Sequence, residues 1–106
     1  MRYPTISMWE LEQWIDRGYP FSLVDLRTEG EYAASHIRGA VNLPFSQLEE
    51  REEELEKGST TVFYCQRGSK SLLACNRLAG RGFRVVNTGG GFLAYRGKYL
   101  VQSVDR

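Results

Sequence analysis

Cysteine and histidine are scarce in this chain. Its 106 residues hold two cysteines, Cys65 and Cys75, and one histidine, His36. Two cysteines ten positions apart are too few for a disulfide framework and form no C-x-x-C pair. With a single histidine beside them they fall short of the four N/S ligands that zinc usually takes, so no metal is expected. Net charge is scarce as well: fourteen Lys+Arg against thirteen Asp+Glu leave +1, which supplies no broad basic field for nucleic acid. Long apolar runs are missing. Nothing approaches the roughly 20 residues that span a bilayer, and the opening MRYPTISMWE has no signal-peptide core. The expected location is therefore cytoplasmic, with neither membrane nor nucleic acid as partner.

What is present is a soluble globular composition. Hydrophobic residues make up 42% and charged residues 25%, which favours neither disorder nor a fibrous repeat. The length suits one domain over residues 1–106, as a monomer or weak dimer. Thr5 to Gly18 reads as a helix, with Ser7 and Glu10 at the spacing of a capping box. Met8, Leu11, Trp14 and Ile15 form its buried stripe, and both Trp9 and Trp14 read as core residues. Phe21 to Leu26 is a short buried strand that delivers Asp25 and Arg27 to one edge of a sheet. Glu29 to His36 follows as one or two helical turns, and Ala40 to Leu43 as a strand closed by Pro44. Gln47 to Lys57 has strong helix propensity; its acidic run reads as a solvated face anchored by Leu48 and Leu55. Thr60 to Tyr64, TTVFY, is the strongest strand signal. Ser71 to Arg81 has helical spacing, with Leu72, Cys75, Leu78 and Ala79 on one face and Gly82 as its stop. Phe83 to Val86 reads as the last strand, before Gly89, Gly90 and Gly91. Strands alternating with helices predict an open α/β fold with a mainly parallel sheet and helices on both faces.

Cys65 sits where the TTVFY strand ends and the polar segment QRGSKS begins. In open parallel sheets ligands bind outside the carboxyl ends of strands, where a strand-to-helix turn aims backbone N–H groups at one point. A thiolate there is stabilised by the helix N-terminus and by Arg67 and Lys70, and Gly68 lets the loop curl its amides inward. Free cysteine is equally at home as a small buried hydrophobe. For Cys75, on an apolar helical face, that reading is preferred. For Cys65 the polar residues that follow at once favour a nucleophile, with the core reading still open.

VDLRTEGEYAASHIRGAVNLP, residues 24 to 44, resembles the signature of single rhodanese domains, a D-x-R near E-Y followed by H-I-x-G-A-x-N-x-P. CQRGSKS is similar to their active-site loop C-x-x-G-x-R-S, SLLACNRLAGRGF to the helix after it, and GGGFLAYRG to their C-terminal glycine-aromatic segment. The resemblance implies a five-stranded rhodanese-like sheet and a sulfurtransferase. Its Cys65 takes the outer sulfur of thiosulfate or a similar donor as a persulfide and passes it to a thiophilic acceptor, cyanide or a cellular thiol. It also implies that no cofactor is needed. Mapped onto this chain, Cys65 is the catalytic nucleophile, and Gln66, Arg67, Gly68, Ser69, Lys70 and Ser71 bind the donor and hold the persulfide charge.

Lys70 departs from the usual arginine, keeping the charge and losing the bidentate fork, which bears on donor preference. Tyr95 stands where the family often has tryptophan and reads as a packing change. Asp25, Arg27 and His36 match family positions and are assigned to the scaffold, Asp25 or Arg27 as a brace for the loop. A persulfide carrier serving an acceptor protein is the main alternative. Phosphatases and arsenate reductases of related fold are a further one; they carry C-x5-R, whose arginine would fall at Ser71. A non-enzymatic module of the kind that lacks the cysteine is disfavoured by Cys65 itself.

Overall fold

The run TTVFY, the strongest strand signal, lies at the centre of the sheet. The structure, a computed structural model, describes residues 3–103. Its strands are β1 (Thr5–Ile6), β2 (Ser22–Asp25), β3 (Ser35–Ile37), β4 (Val41–Asn42), β5 (Thr60–Tyr64), β6 (Arg84–Thr88) and β7 (Leu100–Gln102). The helices are α1 (Met8–Asp16), α2 (Glu29–Ala34), α3 (Leu48–Arg51) and α4 (Ser69–Ala79). The sheet runs β1-β6-β5-β2-β4, every pair parallel, while β3 and β7 form a separate antiparallel ribbon. The expected α/β fold with a five-stranded parallel sheet is therefore observed.

Strand alternation sorts β5 between two cores. Val62 and Tyr64 pack with Met8 and Leu11 of α1, Leu23, Val86 and Phe92 on one face. Phe63 and Cys65 pack with Leu48 of α3 and Ala74, Cys75 and Leu78 of α4 on the other. Val62, Phe63 and Tyr64 are all fully buried, each contributing about 1.5–3 kcal/mol by the usual transfer scale. The same alternation puts Cys65 under the start of α4.

Several expectations are corrected. Ser7 and Glu10 do form a capping box, yet Thr5 and Ile6 pair with β6 as a strand, so the helix begins at Met8. Met8 and Leu11 then face the sheet, and Trp9, one residue and about 100° round the helix, is 68% exposed instead of buried. A second capping box, Thr28 with Glu31, opens α2, which ends at Ala34; His36 belongs to β3, paired with Val101. The stretch Gln47 to Lys57 is no continuous helix. It breaks into a 3-10 turn (Phe45–Gln47), α3 and a second 3-10 turn (Glu52–Glu54).

Glu52 explains part of that break. It is buried, and its carboxylate accepts from Arg77 Nε at 2.8 Å and Arg81 Nε at 2.6 Å. The hydrogen bond from Arg77, reinforced by Arg81, holds the carboxyl below its ordinary range. The acidic run therefore turns one member inward to tie the α3 segment to α4. In α4 the inner positions are Ser71, Ala74, Cys75 and Leu78, so Leu72, expected on that face, is 44% exposed. Among the described residues no helix is long and apolar enough to cross a membrane.

Candidate active site

Cys65 follows the last residue of β5 and is buried, with its sulfur facing the first turn of α4. Sγ accepts the N–H of Gly68 at 3.1 Å and the N–H of Ser71 at 3.2 Å. These are amides of the N-cap and third residue of α4, two of the donors a helix start leaves without intrahelical partners. Sulfur of a neutral thiol is a weak acceptor. Two amides at the positive end of a helix nonetheless converge on it. Gly68 makes this geometry accessible: its φ of +105° lies where a Cβ is disfavoured, and it turns the loop back over the sulfur.

The rest of the loop is held from three sides. Ser71, fully buried, brings its hydroxyl to 2.7 Å from Asn87 Oδ1 and 3.1 Å from the Gly68 carbonyl, fastening the first turn of α4 to β6. The carbonyls of Cys65 and Gln66 accept the amides of Phe92 and Leu93 at 2.8 and 3.2 Å. Arg27 Nη1 donates to Gln66 Oε1 at 3.2 Å. Arg27 is itself fixed by Asp25: Nε lies 3.1 and 3.2 Å from the two carboxylate oxygens, and Nη2 lies 2.8 Å from Oδ2. Its guanidinium carbon stands 4.0 Å from the Phe92 ring centroid. The Asp25–Arg27 pair is thus a buried strut beneath the loop.

The neighbouring Tyr64 phenol and Cys75 thiol stay neutral. Burial first, and then the Asp25 charge, push the Tyr64 hydroxyl well above its usual range, where it accepts the Ile37 amide. Burial, with a smaller contribution from Cys65, pushes the Cys75 thiol up to about 12. That agrees with the core role expected for Cys75. Tyr95 is buried; its hydroxyl donates to Glu12 Oε1 at 2.7 Å and accepts from the Tyr99 amide, tying the C-terminal segment to α1. His36 sits 2.8 Å through Nδ1 from the Tyr32 carbonyl and stacks on the Tyr32 ring at 3.9 Å, as a scaffold residue should.

A cavity of about 440 Å³ opens above Cys65. Gln66, Arg67, Ser69 and Lys70 line it; Gly68 and Ser71 meet the sulfur through their amides instead. Leu26, Pro44 and Phe45 form an apolar wall, and Lys70 Nζ lies 5.9 Å from the Phe45 ring centroid. Phe45 and Glu31, which also line the cavity, carried no sequence signal for the site.

Gly91, which the sequence showed only as part of the glycine-aromatic segment, bears directly on the loop. At φ 76°, ψ 163° it occupies a region essentially restricted to glycine, and a Cβ there would lie 2.4 Å from the Gln66 carbonyl and 2.6 Å from Arg67 Cα. Gly91→Ala is expected to cost on the order of 2–3 kcal/mol and, by shifting the Cys65 loop, to change the reactivity of its thiol several-fold. Thermal melts alongside the rate of Cys65 alkylation check both; a variant of unchanged stability and rate would remove Gly91 from loop positioning.

The rhodanese-like domain family model matches residues 7–98, a span that includes both the strut and the cysteine loop. The chain belongs to the rhodanese-like domain family. YtwF of Bacillus subtilis (strain 168) is 33% identical over 98 residues, covering 92% of this chain and 95% of its own length. The thiosulfate sulfurtransferase GlpE of Coxiella burnetii is 29% identical over 108 residues, covering 100% of this chain and 99% of its own. Among solved structures, a rhodanese-like domain protein from Staphylococcus aureus superposes with a TM-score of 0.85 at 25% identity, over 95% of this chain and 99% of that one. Ser71 stands where a C-x5-R enzyme would need its arginine.

Proposed function

We propose that this domain is a sulfurtransferase that moves a sulfane sulfur from thiosulfate or a similar donor to a thiophilic acceptor through a persulfide on Cys65. One observation carries the reading: the Gly68 and Ser71 amides converge on Cys65 Sγ at the floor of a cavity rimmed by Arg67 and Lys70. The thiolate attacks the outer sulfur of the donor, the donor S–S bond breaks, and sulfite leaves with the bonding pair. Cys65 keeps the transferred sulfur as a persulfide, whose negative charge the loop amides from Gln66 to Ser71 stabilise. Cyanide or a cellular thiol then takes that outer sulfur and returns the thiolate, a two-step covalent cycle without a redox partner.

Arg67 and Lys70 draw the anionic donor in, with Ser69 and Gln66 as polar wall. A cytoplasmic setting, where thiols stay reduced, suits such a cycle. The relative named a thiosulfate sulfurtransferase supports thiosulfate as the first donor to try. Incubation with thiosulfate should raise the intact mass by one sulfur, about 32 Da, on the covalently loaded enzyme, and peptide mapping should place it on Cys65. An unchanged mass with Cys65 reduced beforehand would refute the proposal. A loaded protein that small thiols and cyanide cannot discharge would instead favour a carrier that serves an acceptor protein.

A further inference from the structure

Thiosulfate is a five-atom dianion, yet the cavity above Cys65 holds about 440 Å³. At roughly 30 Å³ per water that is room for about fifteen waters, within the range of pockets that take organic ligands. Its charges are also mixed. Arg27 spends its charge on Asp25, so among the described residues the free charges lining the space are Arg67 and Lys70 on the loop and Glu31 on α2. Glu31 Oε1 accepts the Thr28 amide at 3.0 Å, and Oε2 takes no hydrogen bond from the described residues. A carboxylate in the wall opposes a dianion and suits an ammonium. In the same lining Phe45, with Lys70 Nζ 5.9 Å from its ring centroid, offers an apolar surface for methylene groups.

We propose that the donor this site prefers is the persulfide of a small amino-acid thiol, a zwitterion whose carboxylate meets Arg67 and Lys70 and whose ammonium meets Glu31. This rests on the sulfur-transfer reading above. The Cys65 thiolate attacks the outer sulfur of R–S–SH. The bond between the two donor sulfurs breaks, R–S⁻ leaves with the electron pair, and the outer sulfur stays bonded to Cys65 with its proton, which passes to solvent. Atoms and electrons balance with no oxidant or reductant.

The test compares cysteine persulfide, N-acetylcysteine persulfide and thiosulfate as donors for the wild type and for Glu31→Gln. Glutamine keeps the side-chain oxygen that caps Thr28, and a thermal melt checks the fold. In the wild type kcat/KM should be about tenfold higher for cysteine persulfide than for its N-acetyl form, the worth of one charge-assisted contact. Glu31→Gln should bring the two together and raise thiosulfate about twofold to threefold by removing the opposing carboxylate. Equal wild-type values for the two persulfides, or a ratio that Glu31→Gln leaves intact, would overturn the proposal; if that variant does not fold, the wild-type comparison decides. Failure of every donor to load Cys65 by intact mass would instead overturn the sulfur-transfer reading.

Discussion

Cys65→Ser should abolish sulfur transfer, lowering kcat by on the order of 10³-fold or more, because covalent catalysis has no second nucleophile to fall back on. The serine hydroxyl receives the same two amides, from Gly68 and Ser71, yet at neutral pH it stays protonated and is the poorer nucleophile. Cys75→Ala should keep most of the activity. Cys75 is fully buried on the inner face of α4, and its thiol, raised to about 12, remains protonated throughout the working range. Its loss creates a small void costing about 1 kcal/mol or somewhat more. Alkylation at pH 8 should accordingly modify Cys65 and spare Cys75 in the native protein. Equal losses of activity in the two folded variants, or preferential alkylation of Cys75, would exchange their roles.

Asp25→Ala should be the most damaging change outside the loop. Asp25 and Arg27 are 0% and 5% exposed, and removing the carboxylate strands the guanidinium among Tyr64, Phe92 and the sheet end. Leaving one partner of a buried pair uncompensated costs about 3–5 kcal/mol, a large share of the roughly 5–15 kcal/mol that holds a domain folded. At the heat-unfolding entropy of a domain this size, Tm should fall by about 15 °C or more. The double variant Asp25→Ala/Arg27→Met separates stability from positioning. Apolar replacement of both partners should recover much of the stability, while transfer stays impaired because Gln66 has lost the Arg27 donor. Full recovery of activity along with stability would reduce the strut to a packing element.

The chain's own order of residues carried a good deal of this. TTVFY is β-branched and aromatic, and Ser7 with Glu10 is a local cap whose partners lie three residues apart. Signals that rest on neighbours in sequence survive folding nearly unchanged. Cys65 was legible for the same reason, since a strand end followed at once by a polar, glycine-containing turn is a local pattern. Trp9, Leu72 and Glu52 were misplaced because their environments depend on distant partners. Pairing of Thr5 and Ile6 with β6 set the start of α1 and so turned Trp9 outward. Glu52 is buried only because Arg77 and Arg81, some 25 and 29 residues away, receive its carboxylate.

The sequence alone determined the alternation of elements, the parallel α/β class and the strand-end position of Cys65, because periodicity, capping and strand-end placement are short-range properties of the chain. Only the tertiary structure decided what surrounds the sulfur. The Asp25–Arg27 strut reaches Gln66 across 39 positions, and Gly91 meets the loop at a spacing that tolerates no side chain. Glu31 and Phe45 share a cavity with Lys70. Those relations arise where β2, β5 and β6 end side by side, a proximity created by sheet pairing between segments far apart in the chain.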